Sequence, residues 1–264
     1  MKIATLNINS VNARLLNLTD WLMKNQPDVM LLQEIKTEFN NFPFFDIQMA
    51  GYRAEILGQK SYNGVAVLSR HPMEVRNRNL PNFPDENARY LECEISINNR
   101  PHVIASLYLP NGNPPQNNLA DTSKFSYKLE WMNAFLEHAD ELFKQNKPVI
   151  LAGDFNVIMT PHDVYNPALF AGNALFRSEV QDKLRLLSRM GYCDTYRRLY
   201  PYNSGYTFWD YTGGSFQNDL GMRIDYIFTS PYLTDRLKDC FIDKEFRKQE
   251  KASDHTILMA EFED

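Results

Sequence analysis

Residues 148–157 read PVILAGDFNV, and this stretch limits what the chain can fold into more than any other. Val149, Ile150 and Leu151 form a short apolar run that suits a buried strand. Ala152 and Gly153 follow, small enough for another group to approach the backbone. Asp154 and Asn156 then stand at the strand's mouth, and on an extended chain residues at that spacing share a face. A carboxylate acceptor and a carboxamide donor aimed at one spot can hold and activate a water beside a phosphate. A Gly-Asp turn closing a strand is the plainer reading of the same letters. The remaining chain has to decide between them.

It does so by repeating the pattern. Lys2–Leu6 reads as a strand ending in Asn7-Ile8-Asn9, whose two asparagines alternate with apolar residues and so face one way. Leu15, Leu18 and Leu22 repeat at helical spacing, and Asn25-Gln26-Pro27 stops that helix. Val29–Leu32 is a second apolar strand and delivers Gln33-Glu34. Strand, helix and strand within ~30 residues predict parallel neighbours. Further strands are expected at Gly64–Ser69, Tyr90–Ile97, His102–Leu109, Tyr206–Tyr211, Arg223–Thr229 and Thr256–Phe262. Helices are expected at Phe125–Phe143 and Val180–Met190, and loops at Asn40–Phe45, Asn111–Thr122 and Thr160–Phe176. No repeat or linker interrupts the chain, so one domain of mixed strands and helices spanning 1–264 is the simplest account.

The totals agree and exclude several classes. With 264 residues, 44% of them hydrophobic, the chain can bury a large core. A net charge of −5 does not advertise a nucleic-acid binder, yet a local basic groove beside an acidic metal site is compatible with it. Three widely spaced cysteines argue against a disulfide framework or zinc cluster and suit a reducing cytoplasm. No apolar run approaches the ~18 residues of a membrane span.

Set side by side, the strand ends carry Asn7, Asn9, Glu34, Tyr108, Asn111, Asp154, Asn156, Asp225, Asp254 and His255. Open sheets gather ligands at strand ends. Four carboxylates in such company repel one another without a cation. Oxygen donors with no cysteine and a single imidazole select magnesium or manganese over zinc. Each residue has a plainer role alone: Asn7 or Asn9 as a helix cap, Glu34 as an exposed acid, Tyr108 as a rim aromatic, Asp225 as a buried hydrogen-bonded acid. It is the set that points to phosphoryl chemistry. His71, His102, His138 and His162 lack such neighbours in sequence and read as structural or surface groups.

These residues make the chain resemble the endonuclease/exonuclease/phosphatase superfamily, and within it the exonuclease III branch of repair nucleases. The resemblance runs from Lys2 to Phe262. It rests on Leu6-Asn7-Ile8-Asn9, Leu32-Gln33-Glu34-Ile35-Lys36, Asn63-Gly64-Val65-Ala66, Tyr108-Leu109-Pro110-Asn111-Gly112, Gly153-Asp154-Phe155-Asn156, Arg223-Ile224-Asp225-Tyr226 and Ser253-Asp254-His255, in that order. Members acting on lipids or inositol phosphates, and the deoxyribonuclease I group, carry histidine where this chain has Tyr108. That favours the repair branch. Asn111, where the best-known member of that branch carries glutamine, Met222, at a position that varies in the family, and the Thr160–Phe176 loop are departures that bear on the balance of activities.

The resemblance implies a four-layer α/β sandwich, two mixed sheets face to face with helices outside. It implies Glu34 as principal metal ligand with Asn9 and Asp254 close by, and Asp154 and Asn156 bordering the ion. Asp154 would activate water, Asn7 and Asn156 would donate to phosphate oxygens, and His255, held by Asp225, would stabilise developing charge. Tyr108 would contact the phosphate or leaving group, with Asn111 beside it. Phe208, Trp209 and Met222 would wall a pocket for a baseless sugar. Arg89 and Asn173 fall near backbone contacts of the family; Lys36, Lys60, Arg177 and Arg223 are further candidate DNA contacts, with Arg223, inside a strand, alternatively the partner of an acid. The implied protein is a cytoplasmic, monomeric, Mg²⁺-dependent (or Mn²⁺-dependent) nuclease acting on duplex DNA with abasic sites or 3′ ends. A phosphoesterase for a small phosphorylated metabolite is the alternative use of the same site.

Overall fold

The structure, a computed structural model, describes residues 1–263. The chain opens on β1 (Lys2–Asn7), passes through α1 (Leu15–Asn25) and returns as β2 (Val29–Gln33). α1 buries Leu18, Trp21 and Leu22, and ends where Gln26 turns left-handed just before Pro27. β1 and β2 pair in parallel, with Asn7 opposite Gln33, as a helical crossover requires.

Next come α2 (Phe44–Met49), β3 (Arg53–Leu57), β4 (Val65–Ser69), β5 (Met73–Arg78), β6 (Tyr90–Ile97), β7 (Arg100–Tyr108), α3 (Ser123–Lys144) and β8 (Val149–Asp154). The second half holds α4 (Ser178–Met190), β9 (Cys193–Asp194), α5 (Thr195–Leu199), β10 (Asp225–Thr229), α6 (Pro231–Thr234), β11 (Leu237–Asp243), α7 (Lys244–Arg247) and β12 (Ile257–Phe262). No helix among the described residues is long and apolar enough to cross a membrane.

The strands form two six-stranded mixed sheets, ordered β11-β12-β1-β2-β4-β3 and β5-β6-β7-β8-β10-β9. Strand alternation gives each sheet two apolar faces. Ile3, Val29, Leu31 and Val67 of the first sheet meet Cys93, Ile104, Ile150 and Ile227 of the second in the central layer. On the first sheet's outer face, Ala4, Leu6, Met30 and Leu32 pack under Leu18 and Leu22 of α1 and Ile47 of α2. On the second sheet's outer face, Ala105, Leu151 and Phe228 pack under Trp131 and Phe135 of α3 and Leu184 of α4. The result is the four-layer sandwich.

Two features shape the packing beneath one end, one between the sheets and one within the second sheet. Gln33 donates to Ser106 Oγ at 3.0 Å and pairs with Thr5, a buried polar link from β1 and β2 across to β7. Gly153, at φ +149°, lets β8 lie against β7: a Cβ there would stand 2.0 Å from the Leu107 carbonyl oxygen.

Some expectations require correction. The 40–45 segment is not all loop, since α2 begins at Phe44; a six-residue helix burying Ile47 leaves no periodic signature. Tyr206–Tyr211 is not a strand. Only Phe208 makes isolated bridges, to Met222 and to His255, and the segment serves as a strap between two strand ends.

Candidate active site

Register assembles the site. Tyr108 lies opposite Asp154 across the parallel β7–β8 pair, and Asp225 opposite Asp154 across the antiparallel β8–β10 pair. β1 and β2 end beside them at Asn7 and Gln33, and His255 lies two residues before β12.

The polar end of β1 and that of β8 share one local form. Asn9 N–H donates to Asn7 Oδ1 at 3.2 Å, and Asn156 N–H donates to Asp154 Oδ1 at 2.9 Å. Each is a side-chain-closed turn. Asn9 and Asn156, both at φ 48°, are left-handed. The extended backbone assumed from the i, i+2 spacing is therefore wrong at both places, although the paired side chains still reach one region.

Asn7 joins the halves of the site. Its Nδ2 donates to Glu34 Oε1 at 2.8 Å and to Asp154 Oδ2 at 2.9 Å. His255 Nδ1 lies 2.9 Å from Asp225 Oδ2, and its Nε2 lies 3.7 Å from Asp154 Oδ2. Asn156 donates to the Leu109 carbonyl at 2.9 Å and accepts from Asn111 Nδ2 at 3.2 Å. A cavity of about 310 Å³ opens over these groups; Glu34, Tyr108, Asn111, Asp154, Asn156, Asn173, Phe208, Met222, Asp254 and His255 all line it.

Burial and charge set the protonation states. Burial pushes Asp154 up to about 7, helped by Asp225 and opposed by His255 and the Asn7 amide. Burial works against a charged His255, but the charge and hydrogen bond of Asp225, with Asp154 and Asp254, raise it to about 10. Burial also opposes the Glu34 carboxylate, yet the Asn7 amide, Lys36 ammonium and Tyr108 hydroxyl hold it below the usual range. Tyr108, buried beside Glu34 and Asp154, is pushed well above the usual phenol range and stays a neutral O–H donor.

The donor set suits a hard cation. Glu34 Oε2 and Asn9 Oδ1 converge on one positive charge, the Lys36 ammonium, at 2.7 and 2.6 Å, and Asn9 Nδ2 donates to Asp254 Oδ1 at 3.1 Å. Oxygen donors around a single positive charge match magnesium or manganese chemistry. Asp154, Asp225 and His255 form a tighter group whose ligand atoms lie within 4.8 Å of one another, but the imidazole there already faces two carboxylates.

Residues 4–255 match the Endonuclease/Exonuclease/phosphatase family. The chain belongs to that family. It is 29% identical to exodeoxyribonuclease III of Haemophilus influenzae, covering 99% of this chain and 100% of that one. A solved AP endonuclease from Archaeoglobus fulgidus superposes with a TM-score of 0.91 at 32% identity, covering 100% of both chains. A 3′ phosphatase from Neisseria, solved with a product DNA hairpin, gives a TM-score of 0.92 at 34% identity, again over 100% of both chains. The protein is thus an enzyme, a hydrolase of the endonuclease/exonuclease/phosphatase type.

Within this family frame, several residues sit elsewhere than expected. Trp209 is fully buried and does not line the cavity; its indole N–H donates to Asp219 Oδ1 at 3.0 Å, and it packs edge-on against Tyr206 and Phe216. Neighbours in a strap alternate, so Phe208 turns to the cavity and Trp209 away. Arg223 is no DNA contact: it is fully buried, 2.7 Å from Asp163 and 2.8 Å from Asp194. Lys36 turns inward onto Glu34 and Asn9. Arg177 pairs with Glu179 and covers the Phe125 ring, outside the cavity. Lys60 is exposed and also lies outside the residues that line it. Arg89 stacks 4.8 Å over the Tyr108 ring and donates to the Tyr108 carbonyl at 3.2 Å. Two histidines read as unaccompanied have acidic partners: His71 with Asp28 at 2.7 Å, and His138 with buried Glu92 at 2.6 Å.

Sequence reasoning missed Lys128. It is fully buried, and its ammonium donates to three loop carbonyls. In sequence it falls on the apolar side of α3, and a lysine there was the one available signal.

Proposed function

We propose that this family member is a DNA repair nuclease acting as one catalytic unit. It hydrolyses phosphodiesters 5′ to abasic sites and removes nucleotides or blocking groups from 3′ ends, leaving 3′-OH. The observation that carries the reading is the Asn7 amide between Glu34 and Asp154, with His255 facing the same Asp154 at the mouth of a cavity walled by Phe208 and Met222. The exodeoxyribonuclease and AP endonuclease relatives, and the DNA hairpin held by the Neisseria enzyme, support DNA as the substrate.

Glu34, with Asn9 and Asp254 beside it, would hold a Mg²⁺ or Mn²⁺ ion, which when bound supplies neutralising charge to the phosphate. Asp154 accepts the proton of the attacking water, and a carboxyl raised to about 7 is poised for that at neutral pH. The water oxygen bonds to phosphorus as the bond to the 3′ oxygen breaks. Asn7, expected as a phosphate donor, gives both amide hydrogens to Glu34 and Asp154 and holds them in place; Asn156 keeps one amide hydrogen beyond its bond to the Leu109 carbonyl, and His255, charged at neutral pH, faces the charge that gathers on phosphorus. Each such donor contributes ~2–4 kcal/mol to comparable anionic transition states. Tyr108 offers a neutral hydroxyl to the phosphate or the departing oxygen. Phe208 and Met222 give a sugar without a base an apolar wall.

The test is incubation with Mg²⁺ and a duplex carrying one abasic site. The expected result is a single nick 5′ to the lesion, abolished by EDTA. Parallel assays use recessed 3′ ends and a panel of small phosphate monoesters. Turnover of the monoesters with intact DNA would overturn the proposal.

A further inference from the structure

We propose that Lys128 is a positioning residue: its buried ammonium is a clamp that draws three points on two connections together and thereby sets the amides at the edge of the cavity. The inference rests on the reading of the cavity as a DNA phosphodiester site.

An ammonium has three N–H donors and no acceptor. In Lys128 each donor has a carbonyl partner: Asn156 at 2.6 Å, Asn111 at 3.0 Å and Ala174 at 3.3 Å. These carbonyls come from two connections: Asn111 lies between β7 and α3, and Asn156 and Ala174 lie near the two ends of the segment joining β8 to α4, ends that are also tied by the Ile158 N–H donating to the Leu175 carbonyl at 2.7 Å. Asn111 and Asn156 line the cavity, as does Asn173, the neighbour of Ala174. With the carbonyls turned inward to one charge, the side chains on those loops are presented to the cavity.

The surrounding packing is built around this side chain. Gly112 is left-handed, at φ +84°, and a Cβ there would stand 2.6 Å from Lys128 Cδ. The loop passes Lys128 closely only because that position carries no side chain. The loops are also joined above the clamp: Asn111 Nδ2 donates to Asn156 Oδ1 at 3.2 Å, and Ala174 N–H donates to Asn113 Oδ1 at 3.0 Å. An uncompensated buried ammonium is costly, so a core that needed only volume here would carry methionine or leucine. Burial pulls the Lys128 ammonium down to about 7, opposed by the charge of Asp154, and what it adds is convergence of three acceptors on the three donors that only the protonated form carries. Donors that stabilise a reacting phosphate act only when held to within tenths of an ångström.

The experiment compares wild type with Lys128→Met, which keeps chain length and loses the charge. Active enzyme is counted by burst titration, and folding by thermal melts. The clamp predicts that kcat per active site on abasic duplex falls at least tenfold while KM changes less than threefold. It also predicts that the Asn156 and Asn111 side-chain amide signals shift in ¹⁵N spectra without DNA. A merely structural role predicts a lower melting temperature with unchanged kcat per active site and unmoved amide signals, and that overturns the proposal. Should Lys128→Met not fold, Gly112→Ala retains the ammonium but displaces it. The proposal then requires the same amide shifts and a fall in kcat, and fails without them. If wild type does not cut DNA, the nuclease reading fails first, while the amide shifts still decide whether Lys128 sets the loops.

Discussion

His255 Nδ1 lies 2.9 Å from Asp225 Oδ2, and the other ring nitrogen lies 3.7 Å from Asp154 Oδ2, so one imidazole stands between two buried carboxylates. Burial opposes its charge most strongly, but Asp225, with Asp154 and Asp254, outweighs it and lifts it from 6.5 to about 10. A raised folded-state value means stability that is complete below about 6.5 and lost as pH rises through about 10. The imidazolium therefore persists throughout the neutral range. Asp225→Asn removes the main counter-charge. The alkaline limb of the kcat profile should then move down by about 1–3 units, the usual effect of a close opposite charge. Single-turnover rates across pH 6–11 check this, and an unmoved limb would separate Asp225 from the charge on His255.

Asp154 acts on stability in the same direction, in a lower pH window. Its carboxyl is raised from 3.8 to about 7, chiefly by burial. The folded state holds that proton more tightly than the unfolded chain, so stability falls as pH rises from about 4 through about 7. Asp154→Asn should lower turnover at least ~100-fold. Above neutrality it should also raise the melting temperature by ~2 °C or more, with the gain vanishing near the carboxyl's unfolded value. An inactive but stabilised variant is the signature of a buried group kept for chemistry. Melts at acid and alkaline pH, run beside the nicking assay, measure both halves.

What was legible in the sequence follows from where each residue sits. Central strands such as β1, β2, β4, β7 and β8 are buried on both faces and read as apolar runs. Their polar termini therefore stand out, which is how Asn7, Glu34, Tyr108 and Asp154 were found. The missed β3, β5 and β11 are edge or near-edge strands with Arg53, Glu55, Arg76, Lys238 and Asp239 among their residues, and charged edges hide the alternation. Lys36 looks like a surface cation in one dimension, whereas Arg223, inside a strand, reads either as a DNA contact or as the partner of an acid. Only folding shows Lys36 against Glu34, and Arg223 between Asp163 and Asp194. Clamps such as Lys128 bond to backbone carbonyls, which carry no residue-specific mark.

Phe208 and Trp209 separate substrate contact from packing. The Phe208 ring lies 5.0 Å from the His255 ring and lines the cavity, whereas Trp209 is fully buried behind it. Phe208→Ala should raise KM for abasic duplex or lower kcat with little change in melting temperature. Trp209→Ala should cost ~3–5 kcal/mol of stability, the usual range for a large buried aromatic. Denaturant melts and steady-state kinetics on both variants decide it. A Trp209 variant that folds normally but has lost lesion preference would return Trp209 to the pocket.

Arg223 tests the difference between a cation that meets DNA and one that holds the wall of its pocket. Phosphate contacts give affinity that falls with salt, and each lost contact reduces the slope of log K against log salt by ~1. Arg89, half-buried and stacked on Tyr108, which lines the cavity, is placed to make such a contact, so Arg89→Ala should flatten the slope. Arg223 has no surface to offer. It neutralises Asp163, which lies in the long loop before α4, and Asp194, and its backbone N–H donates to the Asp163 carbonyl at 2.8 Å. Arg223→Met leaves those acids facing only Arg197 at 2.5 Å from Asp163. The expected cost is ~3–5 kcal/mol, as for other buried pairs broken on one side. The salt slope of whatever folded protein remains should match wild type. Urea melts give the first quantity and DNA titrations at several salt concentrations the second; a flattened slope with unchanged stability would mean that Arg223 reaches the phosphates after all.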